Sequence, residues 1–212
     1  TAEATLRKGI RLTAQTPSIV AAHHRIRNGL PVVAPDPSLN HAGNFLKMLF
    51  GEAPDEDAAT LLDKDFLVHL DHGSNASSFA ARVTASTLAD VHCAVVSGLS
   101  TLKGPLHGGA AEGVMKMALE IGEEDNVASY LQAKHDRRER VMGFGHPVYR
   151  VEDPRARHLR EGSRQLAEKF GEPKWFSILT KVQEHYVELR FLFTGSFFNS
   201  GASSWGRYSN CG

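Results

Sequence analysis

The 212-residue chain contains 24 basic and 24 acidic side chains, and 42% of its residues are hydrophobic. This composition is typical of a soluble globular chain of one or two domains, and it excludes collagen-like, wholly disordered and disulfide-framework proteins. The balanced charge gives no electrostatic argument for a nucleic-acid or membrane-surface partner. No apolar run approaches the ~18 residues that a membrane span needs. Cys93 and Cys211 form neither a disulfide framework nor a metal-type pair, which favours a reducing cytoplasm.

The hydrophobic periodicity is helical along most of the chain. The first predicted helix has Thr16 as its N-cap and Pro17 as its first residue, and Gly29 follows its end. Three prolines then predict an extended connection over 30–37. With caps and glycine stops included, the predicted helices cover 16–29, 38–50, 55–70, 77–98, 108–121, 125–134, 153–170 and 174–186.

No stretch alternates with a period of two for long enough to predict a sheet, so the expected fold class is all-α. Residues 141–149 are at most an irregular extended segment. The predicted core-facing sets are Leu39, Leu46 and Leu49; Phe79, Val83, Leu88, Val91 and Val95; and Trp175, Ile178, Leu179, Val182 and Tyr186. The last residues, 191–212, show neither helical periodicity nor charge balance. They are interpreted either as a flexible terminus or as a truncated or out-of-register reading of a longer coding sequence.

His107 lies between a Gly-Pro helix stop and the start of the next predicted helix. The positive end of a helix dipole disfavours imidazolium, and a neutral imidazole can donate an N–H to a developing oxyanion. Flanking glycines let a substrate approach the backbone closely. The alternative is a buried, hydrogen-bonded histidine in a tight turn.

His146 lies in a glycine-rich loop, and Arg150 and Arg155 follow it within nine residues. Guanidinium groups grip two oxygens at once, so this pattern suits a carboxylate or phosphate ligand. The alternative is a loop with surface arginines.

A third polar segment between predicted helices contains His69, Asp71 and His72. Histidine and aspartate are common metal ligands. The spacing of these residues does not converge on a metal without a particular loop geometry, and no further ligand cluster is nearby. We therefore expect no metal, and we interpret the segment as a loop that binds an acid substrate.

Three motifs in order give the chain a resemblance to the citrate synthase family, over about residues 12–186. The most specific motif is Gly143-Phe144-Gly145-His146-Pro147-Val148-Tyr149-Arg150, followed by Asp153-Pro154-Arg155. The other two are Gly104-Pro105-Leu106-His107-Gly108-Gly109-Ala110 and Asp71-His72-Gly73-Ser74-Asn75.

The resemblance implies a role for each matching residue. His107 would hydrogen-bond the thioester oxygen of an acyl-CoA, and His146 would polarise the ketone of oxaloacetate. His72 and Arg155 would bind oxaloacetate, and Arg150 would contact a CoA phosphate. The substrates would be oxaloacetate and acyl-CoA, and no cofactor is expected beyond the coenzyme A thioester that is itself a substrate.

The resemblance also implies an all-α fold, usually a homodimer, in which a small domain closes over the substrates. Residues 1–107 would be part of the large helical domain, 108–190 the small domain, and 191–212 an atypical tail. Since the chain begins with Thr1 and family members are longer at both ends, we expect its natural start to lie upstream.

The sequence departs from the family at the general base. Aligned on Gly195, Phe191 occupies the position of the family's proton-abstracting aspartate, and no acidic residue follows Glu188. The resemblance implies that the full-length enzyme is an acyltransferase that condenses acetyl-CoA with oxaloacetate to citrate and coenzyme A. We expect little of this activity from the chain as written. The alternatives are a 2-methylcitrate synthase that uses propionyl-CoA, since one methylene gives only ~1–3 kcal/mol of discrimination, and an inactive fragment that only binds CoA or oxaloacetate.

Overall fold

The computed structural model describes residues 2–70, 73–144 and 152–194, with side chains described up to Val187. Within these ranges the regular elements are helices, and no strand occurs, which confirms the all-α prediction. The helices are α1 (Ala2–Arg27), α2 (His41–Phe50), α3 (Glu56–Val68), α4 (Ala76–Ser86), α5 (Val91–Leu102), α6 (Gly109–Ile121), α7 (Val127–Asp136), α8 (Ala156–Lys169) and α9 (Lys174–Thr194). One 3₁₀ turn, Glu124–Asn126, precedes α7.

The chain divides into two compact units, with the boundary between Lys103 and Gly104. The first unit holds α1 to α5, and the second holds α6 to α9. The assignment of a partial large domain and a small domain stays a prediction. No described helix combines the length and apolarity that a membrane crossing requires.

Helix α1 begins at Ala2, so the predicted start at Thr16 is wrong. The Thr16 hydroxyl donates to the carbonyl of Leu12 at 2.7 Å and therefore does not cap a helix start. Pro17 lies inside the helix, where it costs one backbone hydrogen bond. The predicted end is confirmed, because Gly29 has φ of 70° and the Leu30 amide donates to the Arg25 carbonyl at 2.8 Å.

Helix α2 begins three residues later than predicted. Asn40 caps it by accepting from the Gly43 amide at 2.8 Å, while Ser38 is held outside the helix by bonds to the Asp36 carboxylate. Gly51 ends the helix with φ of 90°, as expected. The predicted core residues of this region are only half-buried, and its buried residues are Ala42, Gly43 and Met48.

The single helix predicted over 77–98 is wrong, since α4 and α5 are separate. Leu88 has φ of 66°, which breaks the helix, and Asp90 starts α5 by accepting from the amides of His92 at 2.9 Å and Cys93 at 3.0 Å. The two helices pack closely because Gly98 lets the backbone of Ser77 approach, with 3.4 Å from a Cβ built at Gly98 to the Ser77 carbonyl oxygen. Of the predicted core set, Phe79, Val83, Leu88 and Val95 are exposed instead.

The second unit has a contiguous apolar core in which α9 packs against α6, α7 and α8. Leu131, Ile178, Val127 and Val182 are its largest fully buried side chains, and burial of each stabilises the fold by roughly 1.5–3 kcal/mol. The face predicted for 174–186 is confirmed, because Ile178 and Val182 are buried in this cluster and the partly buried Trp175, Leu179 and Tyr186 pack against it. The helix itself continues to Thr194, beyond its predicted end.

Candidate active site

His107 lies immediately before α6, as predicted, and it does so in a tight turn, which the alternative interpretation expects. The Gly104 carbonyl accepts from the His107 amide at 3.0 Å and from the Gly109 amide at 3.3 Å, which closes the turn. His107 is half-buried, and Gly108 at the N-cap supplies no capping side chain. The first three residues of α6 are small, and the Ala110 amide donates to the His107 carbonyl at 3.2 Å.

Helix α6 also supports the segment that leads to the second histidine. Val141, Met142 and Phe144 pack against the core cluster of the second unit, and the Phe144 ring lies 4.0 Å from the Tyr186 ring between centroids. Gly143 has φ of 89°, a conformation that glycine adopts without steric cost. His146 and Arg150 follow in the sequence and lie outside the described residues.

Arg155 is oriented by Asp153, two residues before it. The carboxylate of Asp153 accepts from Arg155 Nε at 3.0 Å and from Nη2 at 2.6 Å, and it also accepts from the Arg155 amide at 2.9 Å. Both side chains are about a quarter exposed, at 24% and 29%. Asp153 therefore acts on the turn before α8, which begins at Ala156, inside the predicted range 153–170. Asp153 also holds one edge of the Arg155 guanidinium in a fixed orientation.

The third polar segment is described only in part, since Asp71 and His72 lie outside the described residues. Directly after them, Gly73 has φ of 62°, and Asn75 caps α4 by accepting from the Ser78 amide at 3.1 Å. His107 and Arg155 belong to the second compact unit, and His72 belongs to the first by sequence. Within the described ranges, no three His, Cys, Asp or Glu side chains lie together in a way that could hold a metal ion.

A cleft of about 210 Å³ in the second unit was not expected from the sequence. Its lining includes Lys116 and Glu120 from α6, Tyr130 and Lys134 from α7, and Arg140 from the segment that follows α7. The Tyr130 hydroxyl donates to Glu120 at 2.6 Å, and burial together with this bond raises the pKa of Tyr130. Lys134 pairs with Glu139 at 2.8 Å, and this pairing lowers the pKa of Glu139.

The signal for this cleft is present in the sequence as two helical spacings of four residues, 116 with 120 and 130 with 134. Each spacing shows that two polar residues share a helix face. It does not show that the two faces meet, because that depends on how α6 and α7 pack.

The comparisons with known proteins agree on one family. The family model described as "Citrate synthase, C-terminal domain" matches residues 1–203. The chain is 47% identical to citrate synthase 2 of Bacillus subtilis over 86% of this chain and 49% of that relative. It is 42% identical to 2-methylcitrate synthase of Mycobacterium tuberculosis over 81% of this chain and 44% of that relative.

A solved citrate synthase from Thermoplasma acidophilum, in ternary complex with carboxymethyl coenzyme A and oxaloacetate, has a similar fold. The TM-score is 0.79 at 30% identity, over 84% of this chain and 48% of that one. The chain thus spans about half the length of the curated relatives it matches. Since the family model covers nearly all of it, the chain belongs to the citrate synthase family.

Proposed function

We propose that this chain takes part in a citrate synthase-type condensation, in which acetyl-CoA and oxaloacetate give citrate and coenzyme A. The observation that carries the proposal is the family match over residues 1–203, because this stretch contains every histidine and arginine to which the sequence assigns a role. The ternary complex of a relative with carboxymethyl coenzyme A and oxaloacetate supports these two substrates.

In the proposed reaction, a base removes a proton from the acetyl methyl group and the thioester oxygen takes up the negative charge. His107 donates an N–H to this oxygen from the turn before α6, where a fixed donor stabilises developing charge at little cost in reorganisation. The methyl carbon then attacks the ketone carbon of oxaloacetate, whose oxygen becomes a hydroxyl after protonation. Water finally cleaves the thioester and releases coenzyme A.

Oxaloacetate would be held by Arg155, which grips one carboxylate while Asp153 keeps the guanidinium oriented. The resemblance assigns polarisation of the ketone to His146, a second oxaloacetate contact to His72 and a CoA phosphate contact to Arg150. These three assignments rest on the sequence motifs alone.

This chain lacks the residue that is expected to act as the general base and remove the methyl proton. Helix α9 runs through Phe191, the residue aligned with the family's aspartate. Loss of a general base lowers a rate by about 10²–10⁴. We therefore expect the chain as written to bind its substrates and to release little coenzyme A.

Calorimetric titration with oxaloacetate, and then with carboxymethyl coenzyme A, tests the proposal together with a free-thiol assay for turnover. We expect His107→Ala to weaken binding of the CoA analogue more than binding of oxaloacetate, since the resemblance assigns His107 to the acyl end of coenzyme A. We expect Arg155→Ala to weaken oxaloacetate binding on the order of tenfold or more, because a charge-assisted pair is lost. Arg155→Lys is the matched control, because lysine keeps the positive charge but lacks the planar guanidinium that donates two parallel hydrogen bonds to a carboxylate.

The outcomes separate the parts of the proposal. If the unmodified chain binds neither ligand, the proposed function is wrong. Rapid release of coenzyme A would contradict only the expectation that turnover is low because Phe191 replaces the general base. If His107→Ala lowered the affinity for both ligands equally, the role given to His107 would be contradicted.

Two alternatives to this function remain. The acyl substrate could be propionyl-CoA, as in a 2-methylcitrate synthase. The chain could instead be a non-catalytic module that binds coenzyme A or oxaloacetate without turnover. The greater identity to citrate synthase 2, 47% against 42% for the 2-methylcitrate synthase, supports acetyl-CoA. A direct comparison of affinity for acetyl-CoA and propionyl-CoA distinguishes the two substrates.

A homodimer and a cytoplasmic location complete the proposal. The dimer is supported by exposed apolar side chains on both helices of the α4–α5 pair, where Phe79 is 61% exposed, Val96 60% and Leu99 55%. The bacterial relatives and the exposed free thiol of Cys93 are consistent with cytoplasm.

A further inference from the structure

The turn that presents His107 begins at Gly104 and has Pro105 as its second residue. It is closed by the His107 amide, which donates to the Gly104 carbonyl at 3.0 Å. Proline suits the second position of such a turn, because its ring fixes φ at about −65° and it has no amide hydrogen that needs a partner. The stiffest residue type therefore lies inside the turn that ends at the histidine.

Backbone hydrogen bonds hold His107 on both sides. The Gly104 carbonyl also accepts from the Gly109 amide at 3.3 Å, and the His107 carbonyl accepts from the Ala110 amide at 3.2 Å. These bonds join the turn to the first residues of α6. Because the His107 backbone cannot shift without breaking one of them, the direction of its Cα–Cβ bond follows from the conformation of the turn.

Pro105 contributes little to the core of the second unit. Its side chain is exposed, and the next residue, Leu106, is 79% exposed. Its effect is therefore mainly on the conformational freedom of the chain rather than on burial. Pro173 is a matched counterpart, because it is also exposed and precedes a helix of the same unit, where its carbonyl accepts from the Ser177 amide at 2.9 Å.

We propose that Pro105 is a positioning residue for His107 in the binding of the acyl-CoA thioester. Its ring keeps the turn in the conformation in which the His107 amide reaches the Gly104 carbonyl, and this conformation sets the direction from which the imidazole meets the thioester oxygen. The inference rests on the proposed function, in which His107 donates to that oxygen. A donor that is held in place binds better than one that must first be ordered.

The test compares Pro105→Ala with the matched control Pro173→Ala. Each change gives the unfolded chain more freedom, which lowers the melting temperature by about 1–4 °C. We expect Pro105→Ala alone to raise the Kd of carboxymethyl coenzyme A, by roughly three- to tenfold. The Kd of oxaloacetate should stay unchanged in both variants, because Arg155, its proposed contact, lies outside the turn.

Amide hydrogen exchange measured by NMR is the second readout, and a general loss of stability would not reproduce it. We expect exchange at the His107 and Gly109 amides to become faster in Pro105→Ala and to keep its rate in Pro173→Ala, since these two amides close the turn on the Gly104 carbonyl.

The inference is overturned if Pro105→Ala binds the coenzyme A analogue as the unmodified chain does, or if both variants weaken that binding equally. It is also overturned if exchange at the His107 amide is not accelerated, because a lost affinity would then not come through the turn. If the unmodified chain does not bind the analogue, the proposed function is wrong and the role of Pro105 is wrong with it. The unmodified chain alone thus distinguishes the two failures.

Discussion

At the scale of single residues, the described chain contains two left-handed backbone positions that are not glycine. Leu88 has φ of 66° after α4, and Arg138 has φ of 57° after α7. Arg138 completes a helix-ending motif, in which its amide donates to the His135 carbonyl and the Glu139 amide donates to the Lys134 carbonyl, both at 2.9 Å. Glycine is the usual residue at such positions, because a side chain there costs about 1–2 kcal/mol.

We predict that Leu88→Gly and Arg138→Gly each raise the free energy of unfolding by about 0.5–1 kcal/mol, because relief of the left-handed strain exceeds the extra entropy of glycine in the unfolded chain. The Leu88 side chain is 95% exposed, so little burial is lost. Urea unfolding measures the change. Leu88→Ala is the control, since it shortens the side chain and keeps the strain, and an equal gain in this variant would contradict the prediction.

At the scale of elements, helix caps decide where several helices begin. Asn40, Asp55, Asn75 and Asp90 each accept hydrogen bonds from amides in the first turn of the following helix. Such bonds satisfy amides that have no partner within the helix. Two residues produce the break between α4 and α5: Leu88 follows the end of the first helix with a left-handed backbone, and Asp90 caps the start of the next.

The cap at Asp90 predicts a dependence of stability on pH. The bond from the Cys93 amide, with a further bond from the His92 amide, lowers the pKa of Asp90 below its ordinary value of 3.8. A carboxyl whose pKa is lower in the folded state stabilises the fold above its unfolded pKa, and this contribution is lost as the pH falls through the folded pKa. We therefore expect the unmodified chain to lose this part of its stability below about pH 4.

The check is to measure unfolding midpoints from pH 3 to pH 6 for the unmodified chain and for Asp90→Asn. Asparagine also caps helices but does not titrate. The difference between the two chains should shrink as the pH falls. A difference that stays constant over this range would exclude Asp90 as the source.

At the scale of the whole molecule, the two compact units differ in how well they bury apolar groups. The second has a contiguous core around Leu131 and Ile178. The first buries mainly small residues and Met48, and it leaves large apolar side chains exposed on α1, α4 and α5. Exposed large apolar side chains in such number are typical of a surface that contacts another protein chain.

We predict that the chain forms a dimer in sedimentation experiments and that Phe79→Glu dissociates it, because a buried charge without a partner is costly. The control is Leu119→Glu on α6, where a side chain of similar exposure, 57%, lies outside the α4–α5 pair. A monomeric unmodified chain, or equal dissociation by both variants, would contradict this interface.

The sequence by itself determined the all-α class, most helix ends, the buried face of α9 and the position of His107 before a helix. These features depend on spacing, caps and glycines within a few residues, so local physics is sufficient. Only the tertiary structure decided that α1 continues through Pro17 and that Met142 packs against Gly113. The cleft beside α6 was likewise visible only in the tertiary structure. Contacts between distant parts of a chain depend on how whole helices pack, and no local sequence pattern predicts that packing.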